Sequence, residues 1–93
     1  MPFSKNCSFF IFQIFCKNRN KILKNLKKMN IGVSVHYAKC LPKMTYYKKK
    51  YNLNINQFKN SDIYGSTNIS LPVYPKLKIR EVNTICKTII NLL

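Results

Sequence analysis

The sequence predicts a small mixed α/β (α+β) domain, and three observations carry that reading. An apolar run rich in strand formers lies near the N-terminus, a basic-faced helix leads from it into an alternating apolar–polar segment, and the chain closes on a long amphipathic helix. The predicted order is strand, helix, strand, an irregular middle, then the closing helix. With 93 residues there is room for one domain, assigned to residues 8–93 behind a short N-terminal segment, 1–7. A chain of this size buries only about 60–65% of the surface its unfolded form exposes, so its stability margin is thin.

Each element has a local cause. In SFFIFQIF, residues 8–15, aromatic and β-branched side chains favour a buried strand. Asn18 or Asn20 then offers an N-cap. Ile22, Leu23, Leu26 and Met29 follow at helical spacing, with Lys21, Lys24, Lys27 and Lys28 on the other face. Asn30 suits the left-handed position that ends a helix, and Gly32 loosens the turn. VSVHY, residues 33–37, alternates as a half-buried strand does. Pro42 interrupts the chain before MTYYKKKY, which predicts a short helix ending near Asn52. The Asn-rich NLNINQFKN is expected as a surface loop, and SDIYG as a helical turn stopped by Gly65. NISLPVYP predicts a short strand closed by Pro72 and Pro75, which do not fit inside a central strand. Finally Ile79, Val82, Ile85, Cys86, Ile89, Ile90 and Leu93 recur at steps of three and four, giving an amphipathic helix over residues 78–92.

The formal charge of +15 rests on 17 basic side chains against two acidic ones, Asp62 and Glu81. Such an excess attracts polyanions, nucleic acid and anionic lipid among them, without sequence preference. The composition has a simpler source. Fifteen Lys stand against two Arg, alongside 12 Asn and 11 Ile. Lys, Asn and Ile share A/T-rich codons, whereas selection for phosphate contacts raises Arg too, because its fork pairs bidentately with phosphate. Coding composition is therefore read as the main origin of the charge.

Cys7, Cys16, Cys40 and Cys86 form no C-x-x-C pair, and a single histidine does not complete a Cys/His zinc site of the usual spacing. Cys16 and Cys86 adjoin apolar runs, so they are expected as buried, reduced thiols of a cytoplasmic protein, with no metal. The apolar stretch at 9–15 is broken by Gln13 and falls far short of the ~20 residues that span a bilayer. A small-x-small cleavage site is missing as well, so neither a signal peptide nor a membrane partner is expected.

Taken in order, an apolar strand, a helix, NIGVSVHY, a Tyr-rich loop, ISLPVYPKL and a helix opening on EV resemble one family. That family is the DegT/StrS group of pyridoxal-phosphate-dependent sugar aminotransferases, at its C-terminal end. The residues that carry the likeness are Ile31, Gly32, His36, Tyr37, Pro42, Tyr46, Tyr47, Ser70, Leu71, Pro72, Val73, Tyr74, Pro75, Leu77, Glu81 and Val82. Two departures stand out: "IG" replaces the common "GI", and AKCLPKM lacks a histidine that many members carry after "HY". The resemblance implies the small C-terminal domain of a fold-type I aminotransferase. The parent activity would be amino transfer, from glutamate, to a keto group of a nucleotide-linked sugar for surface polysaccharide. In the family, the lysine that carries the cofactor, the phosphate grip and the carboxylate facing the pyridine nitrogen all lie upstream of the matching region. The chain is thus expected to be a fragment, inactive alone, whose partner is the N-terminal catalytic domain or a homodimer mate.

For the residues themselves this leaves no catalytic, cofactor-binding or metal-ligating assignment. Asp62 and Glu81 both fall where an acid favours a helix N-terminus, and the lysines read as surface groups. His36 and Tyr37, with Tyr46 and Tyr47, are the substrate-contact candidates that the resemblance implies. The alternative for His36 is a half-buried ring bonded to nearby backbone; for Tyr46, Tyr47 and Tyr51 it is loop packing. A functional alternative is a small basic nucleic-acid-binding protein, because lysines and aromatics interleave over residues 43–51.

Overall fold

Residues 5–93 are described in the computed structural model; of the expected N-terminal segment 1–7, positions 1–4 lie outside them. The elements are β1 (Phe12–Phe15), α1 (Arg19–Lys28), α2 (Thr45–Tyr51), α3 (Lys59–Thr67), β2 (Asn68–Leu71) and α4 (Ile79–Leu92), with single 3-10 turns at Leu41–Lys43 and Ile55–Phe58. β1 and β2 pair antiparallel, Phe12 opposite Leu71 and Phe15 opposite Asn68. On the other side of β2, Ser34 exchanges both backbone hydrogen bonds with Ser70, at 3.1 and 2.9 Å. β2 therefore lies between β1 and the segment that follows α1.

The strand expected over 33–37 is reduced to that one bridge. The His36 N–H, which would continue the ladder, donates instead to the Asn68 Oδ1 at 3.1 Å, so a side chain takes the place of the next strand partner. β1 is likewise shorter than its apolar run. Phe9 sits at φ 47°, a left-handed turn that breaks the extended backbone ahead of residue 12.

Burial follows the sequence pattern more closely. Cys16, Ile22, Leu26, Val33, Ile69 and Ile89 form the core, with Ile14, Leu23, Ile31, Leu71, Ile85 and Leu92 packed around it. α1 turns its lysines outward and ends with Asn30 at φ 57°. α2 ends at Asn52, also left-handed at φ 48°. At the start of α4 the Lys78 N–H donates to the Glu81 carboxylate at 2.7 Å, satisfying a donor that the helix leaves open.

Two expectations change. The loop and turn predicted over residues 52–65 contain a nine-residue helix, α3, which runs through Gly65. Gly65 is buried there because α3 leans on residues 37–40. A Cβ at this position would stand 3.3 Å from the Cys40 nitrogen and 3.5 Å from the Ala38 and Tyr37 carbonyl oxygens. The glycine permits close approach and does not stop the helix. Cys86, expected buried, is exposed, since its place on α4 lies beside the packed face; Cys16 and Cys40 are buried, Cys7 is exposed and all four thiols are free. Among the described residues no helix is long and apolar enough to cross a membrane.

Candidate functional site

The pleat of β1 and β2 sorts side chains onto two faces. Ile14 and Ile69 point to the core, while Gln13 and Ser70, opposite one another, share the other face with Asn68. Onto that polar face comes the 36–37 turn. The His36 Nδ1 lies 2.8 Å from the Ser70 hydroxyl. The Gln13 amide donates to the His36 carbonyl at 2.7 Å, and the Tyr64 hydroxyl donates to the Gln13 carbonyl oxygen. Asn68 is fully buried and spans the centre. Its Oδ1 accepts the His36 N–H, while its amide donates to the Tyr64 carbonyl at 2.7 Å and the Tyr37 carbonyl at 3.4 Å. The half-buried His36 ring is therefore held by a side chain on β2, where the alternative reading expected a bond to nearby backbone. One ring nitrogen is committed to Ser70 in either tautomer.

Tyr37 is 74% exposed and meets His36 edge-on at 5.7 Å between ring centroids. It borders a cleft of about 420 Å³, with Lys39, Cys40, Leu41, Met44, Ser61, Tyr64 and Gly65. Tyr46 and Tyr47 lie elsewhere. On α2, Tyr46 packs edge-on against Tyr47 at 5.2 Å, and Tyr47 stacks with Tyr51 at 6.4 Å. The Lys50 ammonium donates to the Tyr46 hydroxyl at 3.1 Å and sits over the Tyr46 and Tyr51 rings. Tyr47 lines a second hollow with Pro42, Leu53 and Phe58, and Leu41 and Ser61 border both hollows. The four candidate side chains thus fall into two pairs, His36 with Tyr37 and Tyr46 with Tyr47, on either side of a wall formed by Leu41 and Ser61.

Gln13, Tyr64 and Asn68 were missed as site residues, and Ser70 entered only through the ISLPVYPKL motif. A signal was present in each case. Gln13 interrupts an otherwise apolar strand, and Asn68 and Ser70 alternate with Ile69 and Leu71 in the manner of a two-faced strand.

The two carboxylates are both committed away from this face. Asp62 pairs with Lys43, and Glu81 caps α4. Lys39 is the lysine that lines the Tyr37 cleft. The described residues therefore do not fit a pyridoxal phosphate, which needs a carboxylate against its ring nitrogen and a cradle for its phosphate. Burial raises the Cys16 thiol above its ordinary pKa, partly offset by the nearby Arg19 guanidinium, so it stays protonated and unreactive.

Comparison with known proteins places these features in a wider frame. The model of the DegT/DnrJ/EryC1/StrS aminotransferase family matches residues 2–90. An uncharacterised protein of Methanocaldococcus jannaschii is 38% identical over 65 residues, covering 70% of this chain and 17% of its own. A solved structure described as a sugar aminotransferase from Streptococcus pneumoniae, in its PMP form, superposes with a TM-score of 0.72 at 28% identity. That match covers 85% of this chain and 21% of the other. The chain spans about a fifth of the length of the proteins it matches.

Proposed function

The chain belongs to the DegT/DnrJ/EryC1/StrS aminotransferase family, and we propose that it serves as the small C-terminal domain of a sugar aminotransferase, without catalytic activity of its own. The observation that carries this reading is the shape of the match: a TM-score of 0.72 over 85% of this chain but 21% of the aminotransferase it resembles. The commitment of Asp62 and Glu81 to an ion pair and a helix cap supports it from within the chain. The parent reaction is amino transfer from glutamate to a keto group of a nucleotide-linked sugar, feeding surface polysaccharide in the cytoplasm. Pyridoxal phosphate, when bound to the parent, stores and delivers the amino group.

In this reading the His36–Tyr37 turn supplies a wall of the sugar-nucleotide cleft. Ser70, Gln13 and Asn68 hold that wall in place, and Tyr37 presents its exposed ring. Tyr46 and Tyr47 lie on a second ridge that meets a more distant part of the same ligand.

The test uses the purified chain and a chimera in which it replaces the matching segment of the Streptococcus pneumoniae enzyme. With pyridoxal phosphate and glutamate, the chain alone is expected to produce no 2-oxoglutarate, whereas the chimera produces it in the presence of a keto-sugar nucleotide. Turnover by the chain alone overturns the reading. In the chimera, Tyr37→Ala is expected to raise KM for the sugar nucleotide about tenfold or more with little change toward glutamate.

A further inference from the structure

The buried face of α1 begins with a charge. Arg19, Ile22 and Leu26 are the buried residues of that helix, at steps of three and four. An arginine thus holds the core-side position one turn ahead of two aliphatic side chains. Arg19 is only 9% exposed. Among the described residues its Nε is sealed from solvent without a hydrogen-bond partner, and no ion pair reaches its guanidinium. The two carboxylates of the chain are committed elsewhere, Asp62 to Lys43 and Glu81 to the cap of α4. A buried cation in that condition is costly, and a hydrogen-bonded counter-charge removes the cost.

The setting of the guanidinium also suits an anion. Arg19 is the first helical residue, and side chains on a helix lean toward its N-terminus. Burial raises the pKa of the Cys16 thiol, three positions ahead, and the Arg19 guanidinium is near enough to offset part of that rise. The charge therefore sits at the open end of the helix. There the N–H groups of Arg19, Asn20 and Lys21 precede the first intrahelical bond, which runs from Ile22 to Asn18. Asn18 makes no side-chain cap and the first turn holds no acid. Lys17, Asn18 and Asn20 are exposed, which leaves this end of α1 accessible to an ion.

We propose that Arg19 and the open first turn of α1 form a binding site for a phosphate-class dianion. The site belongs to the core side of the sheet, to which α1 brings Ile22 and Leu26, and so is separate from the polar face of His36, Gln13 and Ser70. Charge and donor number select the ligand. The Arg19 guanidinium, the Lys17 ammonium and about half a unit charge at the helix end together exceed what a monoanion balances. A guanidinium fork and three backbone N–H groups also match a tetrahedral oxyanion, which offers more acceptor oxygens than a carboxylate does. The proposal does not depend on the aminotransferase reading, and its failure would leave that reading intact.

The test titrates the chain with inorganic phosphate at constant ionic strength, with acetate as the control, and follows amide NMR shifts and Tm. Saturable shifts are expected at the N–H groups of Arg19, Asn20 and Lys21 and at the Arg19 Nε–H, with a gain in Tm that acetate does not reproduce. Arg19→Met keeps a long buried side chain and removes its charge. Phosphate affinity should then fall about tenfold or more, while Tm in chloride holds or rises because an unpaired buried charge is gone. Should that variant fail to fold, Asn20→Asp, at an exposed position, offers a carboxylate to the same donors. It should raise Tm in chloride and weaken phosphate binding to a similar degree. Diffuse attraction to a +15 chain is the rival explanation, so a third variant replaces Lys48, Lys49 and Lys50 on α2 with Gln. A phosphate response that survives this triple change and is lost with Arg19→Met or Asn20→Asp supports the site. Shifts spread along the lysines without saturation overturn it, as does an equal response in Arg19→Met, Asn20→Asp and the wild type.

Discussion

Asn68 shows how one polar side chain sets local structure. Fully buried, it accepts from His36 and donates to Tyr64 and Tyr37, so it ties β2 to the turn and to the end of α3. Asn68→Ala would leave the His36 N–H and the Tyr37 carbonyl without this partner, while the Tyr64 carbonyl keeps the backbone N–H of residue 68. Each such orphan costs about 1–3 kcal/mol, and solvent entry offsets part of the sum, so a loss of about 3 kcal/mol is expected in urea unfolding. Asn68→Asp, which turns the amide donor into a carboxylate oxygen facing the Tyr64 and Tyr37 carbonyls and buries a charge, should cost more than Asn68→Ala in the same titration. Cys16 makes a pH prediction. Its folded pKa is raised by burial, so the folded state retains the proton that the unfolded chain releases near 9. The stabilisation is fully present below that pH and is lost as pH rises toward the folded value. Cys16→Ala should therefore flatten the wild type's additional decline in Tm above pH 9. The sequence marked Asn68 only as the first residue of a strand and Gly65 only as a stop. What makes the first a hub and the second a contact is a neighbour some thirty positions away, which local patterning does not carry.

Elements were legible in proportion to how far their cause is local. α1, α2 and α4 fall close to their expected bounds, because apolar period, left-handed Asn caps and a Glu at the third position act within a turn or two. α3 was hidden because KNSDIYGST has little amphipathic contrast and contains a glycine, whose cost of about 1 kcal/mol in a helix is overridden by packing on residues 37–40. The alternation of VSVHY was real, yet it produced one bridge, since strand pairing depends on what lies opposite. The candidate site divides in the same way. His36 and Tyr37 were named as candidates from their own motif, while the Gln13–Tyr64–Asn68–Ser70 support required the register of β1 on β2. At the element scale the cap of α4 is open to test. Glu81→Ala removes the acceptor of the Lys78 N–H and the one acidic group in the helix's first turn. A loss of about 1 kcal/mol is expected, and Glu81→Gln should recover part of it because the amide oxygen still accepts. Hydrogen exchange at residues 78–82 would locate the effect in the first turn of α4.

The whole molecule is wider and thinner than a free-standing domain of its length. Its radius of gyration is 15.7 Å and its extents are 48 × 34 × 19 Å, where a compact chain of 100 residues has a radius of about 13 Å. A flattened shape leaves apolar groups uncovered: Phe10 is 78% and Phe12 53% exposed on and beside β1, whose outer edge has no strand partner among the described residues. Unpaired, aromatic edges of this kind template pairing between chains. At the same time +15 of like charge pushes the slab apart and keeps copies separate. The two effects have opposite dependence on salt, and that gives the prediction at this scale. Raising ionic strength from about 0.01 to 0.3 M shortens the screening length several-fold. Tm should rise as self-repulsion within the chain weakens, while the concentration at which light scattering appears should fall as repulsion between chains weakens. Replacing Phe10 and Phe12 with Thr should separate them, raising the solubility limit at high salt while leaving the salt dependence of Tm in place. If scattering in the double variant tracks that of the wild type, the aromatic edge is not the adhesive surface. A Tm that falls or stays flat with salt would mean that the charge is already balanced within the fold, and that the chain carries its basic surface without strain.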